Sequence, residues 1–413
     1  GAPRDSGRSA PTAASAAEGA YEGHLGYLHD RERNEAYQRA LEWAVASAAP
    51  GPLDVVDLGT GSGLLALLAA KAGAAAGVRV AVAAFECVPA LAALAAENSR
   101  RNGLEGAVRV IPTSSLHARP AEGGAGWEVP GLGHGRRADV LVSELLDTDL
   151  IGEGLLPSLR HAVSTLAKPD CICVPHSATV FAQLVHAPLL WDAQRLSTLA
   201  ALRFPREVST CPGLPSWHLH LGPLLEAGAV VPLSAAVPVL GFDLRRPPPV
   251  GGRHVLTPVE ALPAVAALPA HAVAYWWTCA LTAAAGGPEL DTGPRANAQG
   301  ARDHWRQGLC LLPSAEPLRP GARLLACHDE DSLWFGLAGA GPPGRPPPWP
   351  GAVPVCGCGA HALLGRARWL QLADAGRTDA LAEAVRRALA ELGPGASALD
   401  LADGPLLTVL AAR

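Results

Sequence analysis

The sequence predicts an α/β protein: a doubly wound, largely parallel sheet followed by a β-rich domain. Three observations predict it. From Pro52 to Lys168, apolar strand-like runs alternate with helical stretches, the rhythm of repeated strand–helix–strand units. One of those strands, Asp54 to Leu58, runs straight into the turn Gly59-Thr60-Gly61-Ser62-Gly63 and an apolar helical segment from Leu64. After Lys168 the rhythm changes to short strand-like runs broken by prolines.

Taken in order, residues 1–20 are small and polar with no apolar period, and are expected to be mobile. Glu32 to Ala49 reads as an amphipathic helix leading into the sheet. Val78 to Glu86 reads as the strand after the glycine turn, ending on a carboxylate about 20 residues past it. Thr113-Ser114-Ser115-Leu116-His117 follows a third strand, and the glycine-rich stretch Glu122 to Arg137 reads as a surface loop. Ala138 to Val142 reads as a buried strand ending in polar residues.

In the β-rich part, strands are expected at 178–185, 235–244, 272–282, 308–312 and 323–326, with a helix from Leu189 to Leu202. Gly339 to Val353, dense in Gly and Pro, reads as a loop or linker. A last amphipathic helix, Ala380 to Leu392, is opened by Arg377-Thr378-Asp379. Ala398 to Leu407 echoes Val56 to Leu65 with two of the three glycines lost, which reads as a cofactor-free copy. The expected partition is therefore 1–20, 21–168, 169–338, 339–376 and 377–413.

The glycines at 59, 61 and 63 allow positive φ and let a ligand approach the backbone. A dinucleotide fingerprint wants a third small residue three places after the second glycine, but Leu64 stands there and Gly63 comes one step early. The phosphate-loop signature also fails, since no Gly-Lys-Ser/Thr follows. Glu144 and Glu153 lie in the loop after the strand at 138–142. Carboxylates just beyond the carboxyl end of a strand in an open α/β sheet face the usual ligand crevice. Two of them together make a fork that could grip a guanidinium through paired, charge-assisted hydrogen bonds. Alone, two loop glutamates read as solvated surface; the glycine turn upstream is what raises them to a candidate site.

The spacing Asp57-x-Gly59-x-Gly61-x-Gly63, with Glu86 ending the next strand, resembles motif I of class I methyltransferases, which bind S-adenosylmethionine (AdoMet). Adding the loop Glu144-Leu145-Leu146-Asp147-Thr148-Asp149-Leu150-Ile151-Gly152-Glu153-Gly154, the chain resembles the protein arginine methyltransferase family. Val174 to Val180, Trp276-Trp277, Asp303-His304-Trp305 and Pro354 to His361 extend the resemblance, which runs from about Leu28 to the last residue.

That resemblance implies a class I AdoMet-dependent methyltransferase domain, a β-barrel domain and the start of a degenerate second module. Arg33, by sequence alone one charge in a mixed run, would clasp the AdoMet carboxylate. Asp57, Gly59, Gly61 and Gly63 would cradle the cofactor, Glu86 its ribose, and Ser115 would lie in the adenine-contacting stretch. Glu144 and Glu153 would be catalytic; Asp147, His304 and Trp305 would border the substrate, with Asp149 beside Asp147 in the same loop. The implied product is monomethylarginine on proteins such as histones and RNA-binding proteins, in cytoplasm and nucleus. The 189–202 helix matches an arm that docks a partner module, intramolecular or from a second copy. Two stretches depart from the family: His117 replaces a glutamate, and His24 and Gly26 stand where tyrosine and polar residues are expected.

Cys356-x-Cys358-x-x-His361 offers three soft or borderline ligands, and its spacing alone leaves buried thiols and a metal open. The family carries a zinc site at the junction between modules, which implies structural zinc here. His328 is then the expected fourth ligand, with Cys327 as the alternative.

Composition bounds the rest. A chain of 413 residues is longer than one ordinary domain. A formal charge of −5 without a basic run gives no electrostatic support for nucleic-acid binding. There is no window of about 18 uninterrupted apolar residues, so no membrane partner is expected. Nine scattered cysteines give no disulfide framework and suit a reducing compartment. The absence of methionine reads as a fragment or a missing start, and the degenerate copy reads as truncated. Competing functions are a class I methyltransferase acting on another nucleophile, a non-catalytic AdoMet-binding scaffold and, most weakly, a dehydrogenase.

Overall fold

A computed structural model describes residues 26–193 (except 125), 216–295, 304–338 and 370–393 (except 373), with 395, 397 and 399. The segment 1–20 expected to be mobile, the arm expected beyond Ala193, Asp303, the expected 339–353 linker, the Cys356/Cys358/His361 set and the 398–407 echo fall largely or wholly outside those residues.

Strands β1 (Leu53–Leu58), β2 (Val80–Phe85) and β3 (Val108–Ile111) come first. A small antiparallel meander, β4 (Arg119–Pro120), β5 (Gly126–Val129) and β6 (Gly133–Arg136), precedes β7 (Ala138–Ser143) and β8 (Ala167–Val174). The parallel sheet has the order β3–β2–β1–β7–β8. Its central strands are nearly all buried, as strands covered on both faces must be. Helices α1 (Arg31–Ser47), α2 (Leu64–Ala76), α3 (Pro89–Arg101) and α4 (Leu155–Thr165) accompany it. Helix α1 buries Ala36, Tyr37, Ala40, Leu41 and Ala44 at helical spacing. Its start is fixed by Asp30, whose Oδ1 accepts from the Arg33 N–H at 2.9 Å.

Strand order reverses about β1, which makes the carboxyl ends of β1 and β7 the expected crevice. Register sharpens this: Leu58 pairs with both Phe85 and Ser143. The next residue on each strand is Gly59, Glu86 and Glu144, so the three leave the sheet side by side.

Two expectations need correction. The parallel sheet continues past Lys168, because Ile172, Cys173 and Val174 pair with Val140, Leu141 and Val142. Pro169-Asp170 imitates a boundary, but the apolar run behind it is the last strand of the sheet. The Glu122–Arg137 stretch is the meander and not a plain surface loop. Trp127 anchors it, fully buried, 5.3 Å from the Phe85 ring and donating Nε1–H to the Arg136 carbonyl at 2.9 Å.

The second domain is antiparallel. It contains β9 (Ser177–His186), α5 (Pro188–Ala193), β10 (Trp217–Leu219), α6 (Leu221–Glu226), β11 (Val231–Pro232), β12 (Val237–Asp243) and β13 (Arg253–Pro258). Then come β14 (Pro269–Ala280), β15 (Glu289–Asp291), β16 (Gln307–Pro317), β17 (Arg323–His328) and β18 (Leu333–Ala338). Strands β12, β9, β14 and β16 are neighbours in that order, and β13–β17–β18 form a second sheet. Because β18 packs beside β16 and β13 beside β12, the two sheets close into a barrel-like domain. One buried apolar core runs continuously from α1 through the parallel sheet into this barrel. Helix α7 (Ala375–Leu392) is capped by Asp374, whose Oδ1 accepts from the Arg377 N–H at 2.9 Å. No described helix is long and apolar enough to cross a membrane.

Candidate active site

The first three strand ends and α1 supply one side of the crevice. Asp57 is fully buried, its Oδ2 accepting from Thr60 Oγ1 at 2.6 Å, and burial pushes its carboxyl up to about 7. Gly59, Gly61 and Gly63 have φ of 69°, 57° and 90°, so all three use the left-handed region. A Cβ on Gly59 would lie 2.8 Å from Leu145 Cδ2, so the turn packs directly against the residue after Glu144. Glu86 braces the turn: Oε2 accepts from Gly61 N–H and Oε1 from Val88 N–H, both at 2.8 Å. Each of those oxygens keeps a second lone pair. Ser115 is buried in a 3₁₀ turn just past β3, where Thr113 Oγ1 meets His117 Nδ1 at 2.8 Å.

Arg33 is the pivot. Its Nη2 donates to Glu144 Oε2 at 2.7 Å, with both side chains at least nine-tenths buried. Its guanidinium lies 5.3 Å from the Tyr27 ring and 5.3 Å from the Tyr37 ring. Burial works against its charge, yet the Glu144 carboxylate more than offsets that and holds its pKa above the usual arginine value. One turn on, Tyr37 donates its hydroxyl to the Ser143 carbonyl at 3.0 Å, tying α1 to the end of β7.

Across the mouth, Tyr27 donates its hydroxyl to Glu153 Oε1 at 3.4 Å. Glu153 reaches solvent, but the protein around it, then Glu144 and Asp147, push its carboxyl up to about 7. Burial, then Asp149, raises Asp147 to about 6. His304 packs 4.6 Å from the Tyr27 ring and places Nε2 3.3 Å from Asp30 Oδ2. Arg33 Nε, Glu144 Oε1 and Asp57 Oδ1 are buried with no hydrogen-bond partner among the described residues. Such a mixed set of orphaned donors and acceptors, beside a backbone cradle, fits AdoMet, which carries a carboxylate, an amine and ribose hydroxyls.

Comparisons with known proteins bear on the family and the fold. No protein-family model matches the chain. It is 33% identical over 408 residues to protein arginine N-methyltransferase 7 of Rattus norvegicus, covering 93% of this chain and 55% of that protein. To the enzyme of the same name from Anopheles gambiae it is 34% identical over 421 residues, covering 93% and 57%. The chain belongs to the protein arginine N-methyltransferase family. It spans about half the length of the curated relatives it matches. Its fold is like the Trypanosoma brucei PRMT1 enzyme–prozyme heterotetrameric complex with AdoHcy, at a TM-score of 0.58 and 20% identity. That match covers 74% of this chain and 87% of the other.

In this member of the arginine methyltransferase family the barrel clamps the glutamate loop. Trp277 Nε1–H donates to the Asp147 carbonyl and Trp305 Nε1–H to the Leu146 carbonyl, each at 2.9 Å. Asp147 Oδ1 accepts from Gly152 N–H at 3.0 Å, closing the loop on itself. Asp149 turns to the barrel: its Oδ1 accepts from the Tyr275 hydroxyl at 2.6 Å and meets His218 Nε2 at 3.1 Å. Asp149 is thus engaged with the barrel, while Asp147 lies nearer the glutamates.

His328 does not fit a zinc ligand. It is fully buried; its Nδ1 meets the Asp329 carbonyl at 2.7 Å and its Nε2 accepts from Arg253 Nε–H at 3.1 Å. A guanidinium aimed at the only free lone pair leaves no place for a divalent cation. Cys327, the alternative, is buried with its thiol pKa pushed up by that burial to about 12. No cluster of three metal-ligating side chains occurs among the described residues.

The sequence brought forward Arg33, Asp57, Glu86, both glutamates, Asp147, His304 and Trp305, and the fold gathers them at one crevice. It missed Tyr27, Tyr37, Tyr275 and His218. Tyr37 had a usable signal, one helical turn after Arg33 on the buried face of α1. Tyr275 and His218 carried none, because their partner lies on a distant loop.

Proposed function

We propose that this chain transfers a methyl group from AdoMet to a guanidino nitrogen of a protein-bound arginine. The observation that carries the reading is Glu144 at the end of β7, held by Arg33, with Leu145 packed on the glycine turn and Glu153 facing the same crevice from the far end of the loop. AdoMet, when bound, supplies an electrophilic methyl on a sulfonium. Arg33 would meet its carboxylate, Glu86 its ribose hydroxyls and the turn 59–63 its main body, with Ser115 toward the adenine.

A free guanidinium is a poor nucleophile because it stays protonated, with a pKa above about 12, and its lone pairs are delocalised. Two carboxylates holding two of its nitrogens draw positive charge toward themselves, leaving the third nitrogen richer in electron density and fixed in direction. Alignment for in-line displacement is then largely a matter of position. Glu144, pinned by Arg33, fixes one nitrogen. Glu153, near its midpoint at neutral pH, can hold another and take up the proton that is lost. The product we favour is monomethylarginine, since Tyr27, His304 and Trp305 crowd the mouth beside Glu153. Asp147 favours substrates with neighbouring basic residues.

Cys356, Cys358 and His361 remain candidates for three ligands of a structural zinc, which stoichiometric metal analysis of pure protein tests. A partner module, intramolecular or from a second copy, suits helix α7, whose Leu381, Val385 and Leu389 are only half covered.

The test is incubation with labelled AdoMet and an arginine-rich peptide, followed by separation of mono- from dimethylarginine. Monomethylarginine is expected. AdoMet binding without any arginine product would favour the scaffold reading. Glu144→Gln should abolish transfer while AdoMet affinity stays within a few-fold, and wild-type turnover in that variant would remove Glu144 from the mechanism.

A further inference from the structure

Between Asp147 and Gly154 the glutamate loop is two consecutive turns. The Asp147 carbonyl accepts from Leu150 N–H at 3.0 Å, closing a turn over 147–150. The Ile151 carbonyl accepts from Gly154 N–H at 3.3 Å, closing a second over 151–154, with Glu153 as one of its central residues. Leu150 stands at the junction with a φ of 69°, and it alone among the described non-glycine residues has a positive φ. A Cβ makes that left-handed conformation costly, so it persists only where the surroundings hold it. The corner at Leu150 fixes the direction in which the second turn, and with it Glu153, leaves the first.

Part of the hold is apolar, since Leu150 and Ile151 are fully buried. The polar part falls on the residue just before the corner. One oxygen of Asp149, Oδ1, accepts from the Tyr275 hydroxyl at 2.6 Å and meets His218 Nε2 at 3.1 Å. A carboxylate only accepts, so that ring nitrogen carries its proton whether the imidazole is neutral or charged. The two donors are placed by the barrel itself. Gly308 on β16 pairs with Tyr275 of β14 on one side and with His218 of β10 on the other. Residues directly opposite one another share a face, so both side chains rise beside a position that has none. A Cβ on Gly308 would collide with the Tyr275 ring. That ring is fully buried, its centroid 4.5 Å from that of Phe335.

We propose that Tyr275 and His218 are positioning residues for methyl transfer: by fixing Asp149 they hold the Leu150 corner in its left-handed form and so set where Glu153 stands against Glu144. The inference rests on the methyl-transfer reading and deepens it. Neither residue belongs to the carboxylate fork; each acts through Asp149. In this role Asp149 matters as an accepting oxygen held by the barrel, and its charge does not.

The test compares Tyr275→Phe, His218→Ala, Asp149→Ala and Asp149→Asn with the unaltered full chain, each checked for folding by thermal melting. Two readouts are taken: hydrogen exchange of the 144–154 peptide by mass spectrometry, and initial rates with labelled AdoMet and an arginine-rich peptide. Tyr275→Phe and Asp149→Ala should each speed exchange in that peptide about tenfold and lower kcat about tenfold, with KM for AdoMet within about twofold. His218→Ala should act in the same direction and more weakly. Asp149→Asn keeps the accepting oxygen and should retain most of the kcat. A pH profile separates positioning from general loosening of the fold. Glu153 is held up by burial, then by Glu144 and Asp147, against the opposing pull of Tyr27 and Arg33. A released corner admits water to it, so the rising limb of kcat/KM should move to lower pH in Tyr275→Phe. The proposal is overturned if Tyr275→Phe matches the unaltered chain in exchange and turnover, or if Asp149→Asn is as impaired as Asp149→Ala. An unaltered chain that makes no methylarginine would sink the methyl-transfer reading, and the exchange comparison would still decide whether Asp149 holds the corner.

Discussion

Glu153 is the group in the crevice whose proton can be traded near neutral pH. Its carboxyl is raised from the ordinary 4.5 to about 7, so the protonated form dominates below that pH and half of the carboxylate fork is missing. If Glu153 must be ionised to hold the substrate, kcat/KM should climb as pH rises through about 7, because that ratio reports the free enzyme. The Tyr27 hydroxyl favours the ionised form by donating to it. Tyr27→Phe should therefore move the rising limb to higher pH, as measured by initial rates across pH 6 to 9 in roughly half-unit steps. A limb that stays in place would show that another group sets it. At this scale the acids were legible because type and spacing declare them. Tyr27 was not, since an aromatic residue earns its role only through the loop that folds over it.

The turn between β1 and α2 does two jobs, shaping the cofactor cradle and supporting the glutamate loop. Gly59 is where they meet: its φ is 69°, and a Cβ there would lie 2.8 Å from Leu145 Cδ2. Gly59→Ala should cost about 1–2 kcal/mol from the left-handed backbone alone, plus whatever moving Leu145 requires. Calorimetric titration should show AdoMet affinity falling at least about tenfold. Adding Leu145→Ala should recover part of the loss and no more, since it clears the contact but leaves the backbone strained. Full recovery would mean that conformation contributes nothing. The turn, its flanking strands and Glu86 could all be read from the sequence because glycine spacing and apolar periodicity are local signals. The meander could not, because its glycines resemble a loop and only the burial of Trp127 against Phe85 makes it a sheet.

Over the whole molecule, the barrel serves as a clamp on a loop that belongs to the other domain. Five barrel strands were visible as apolar runs between prolines, while β13 was not, being half-exposed along most of its length. The long-range hydrogen bonds were invisible for a different reason: an indole N–H and a backbone carbonyl leave no pattern in sequence. Trp277 and Trp305 hold the carbonyls of Asp147 and Leu146, and their rings stand 4.9 Å apart edge to face. Trp277→Phe keeps a large aromatic ring and removes the donor, so it should destabilise the fold by about 1 kcal/mol in urea titration. The loop that carries Glu144 and Glu153 would lose one of its two indole anchors, and kcat for arginine methylation should fall. AdoMet affinity should hardly change, because the glycine turn, Glu86 and Arg33 are fixed by the sheet and α1 and not by the barrel. An equal loss of cofactor affinity and turnover would show that the two halves of the crevice are one mechanical unit.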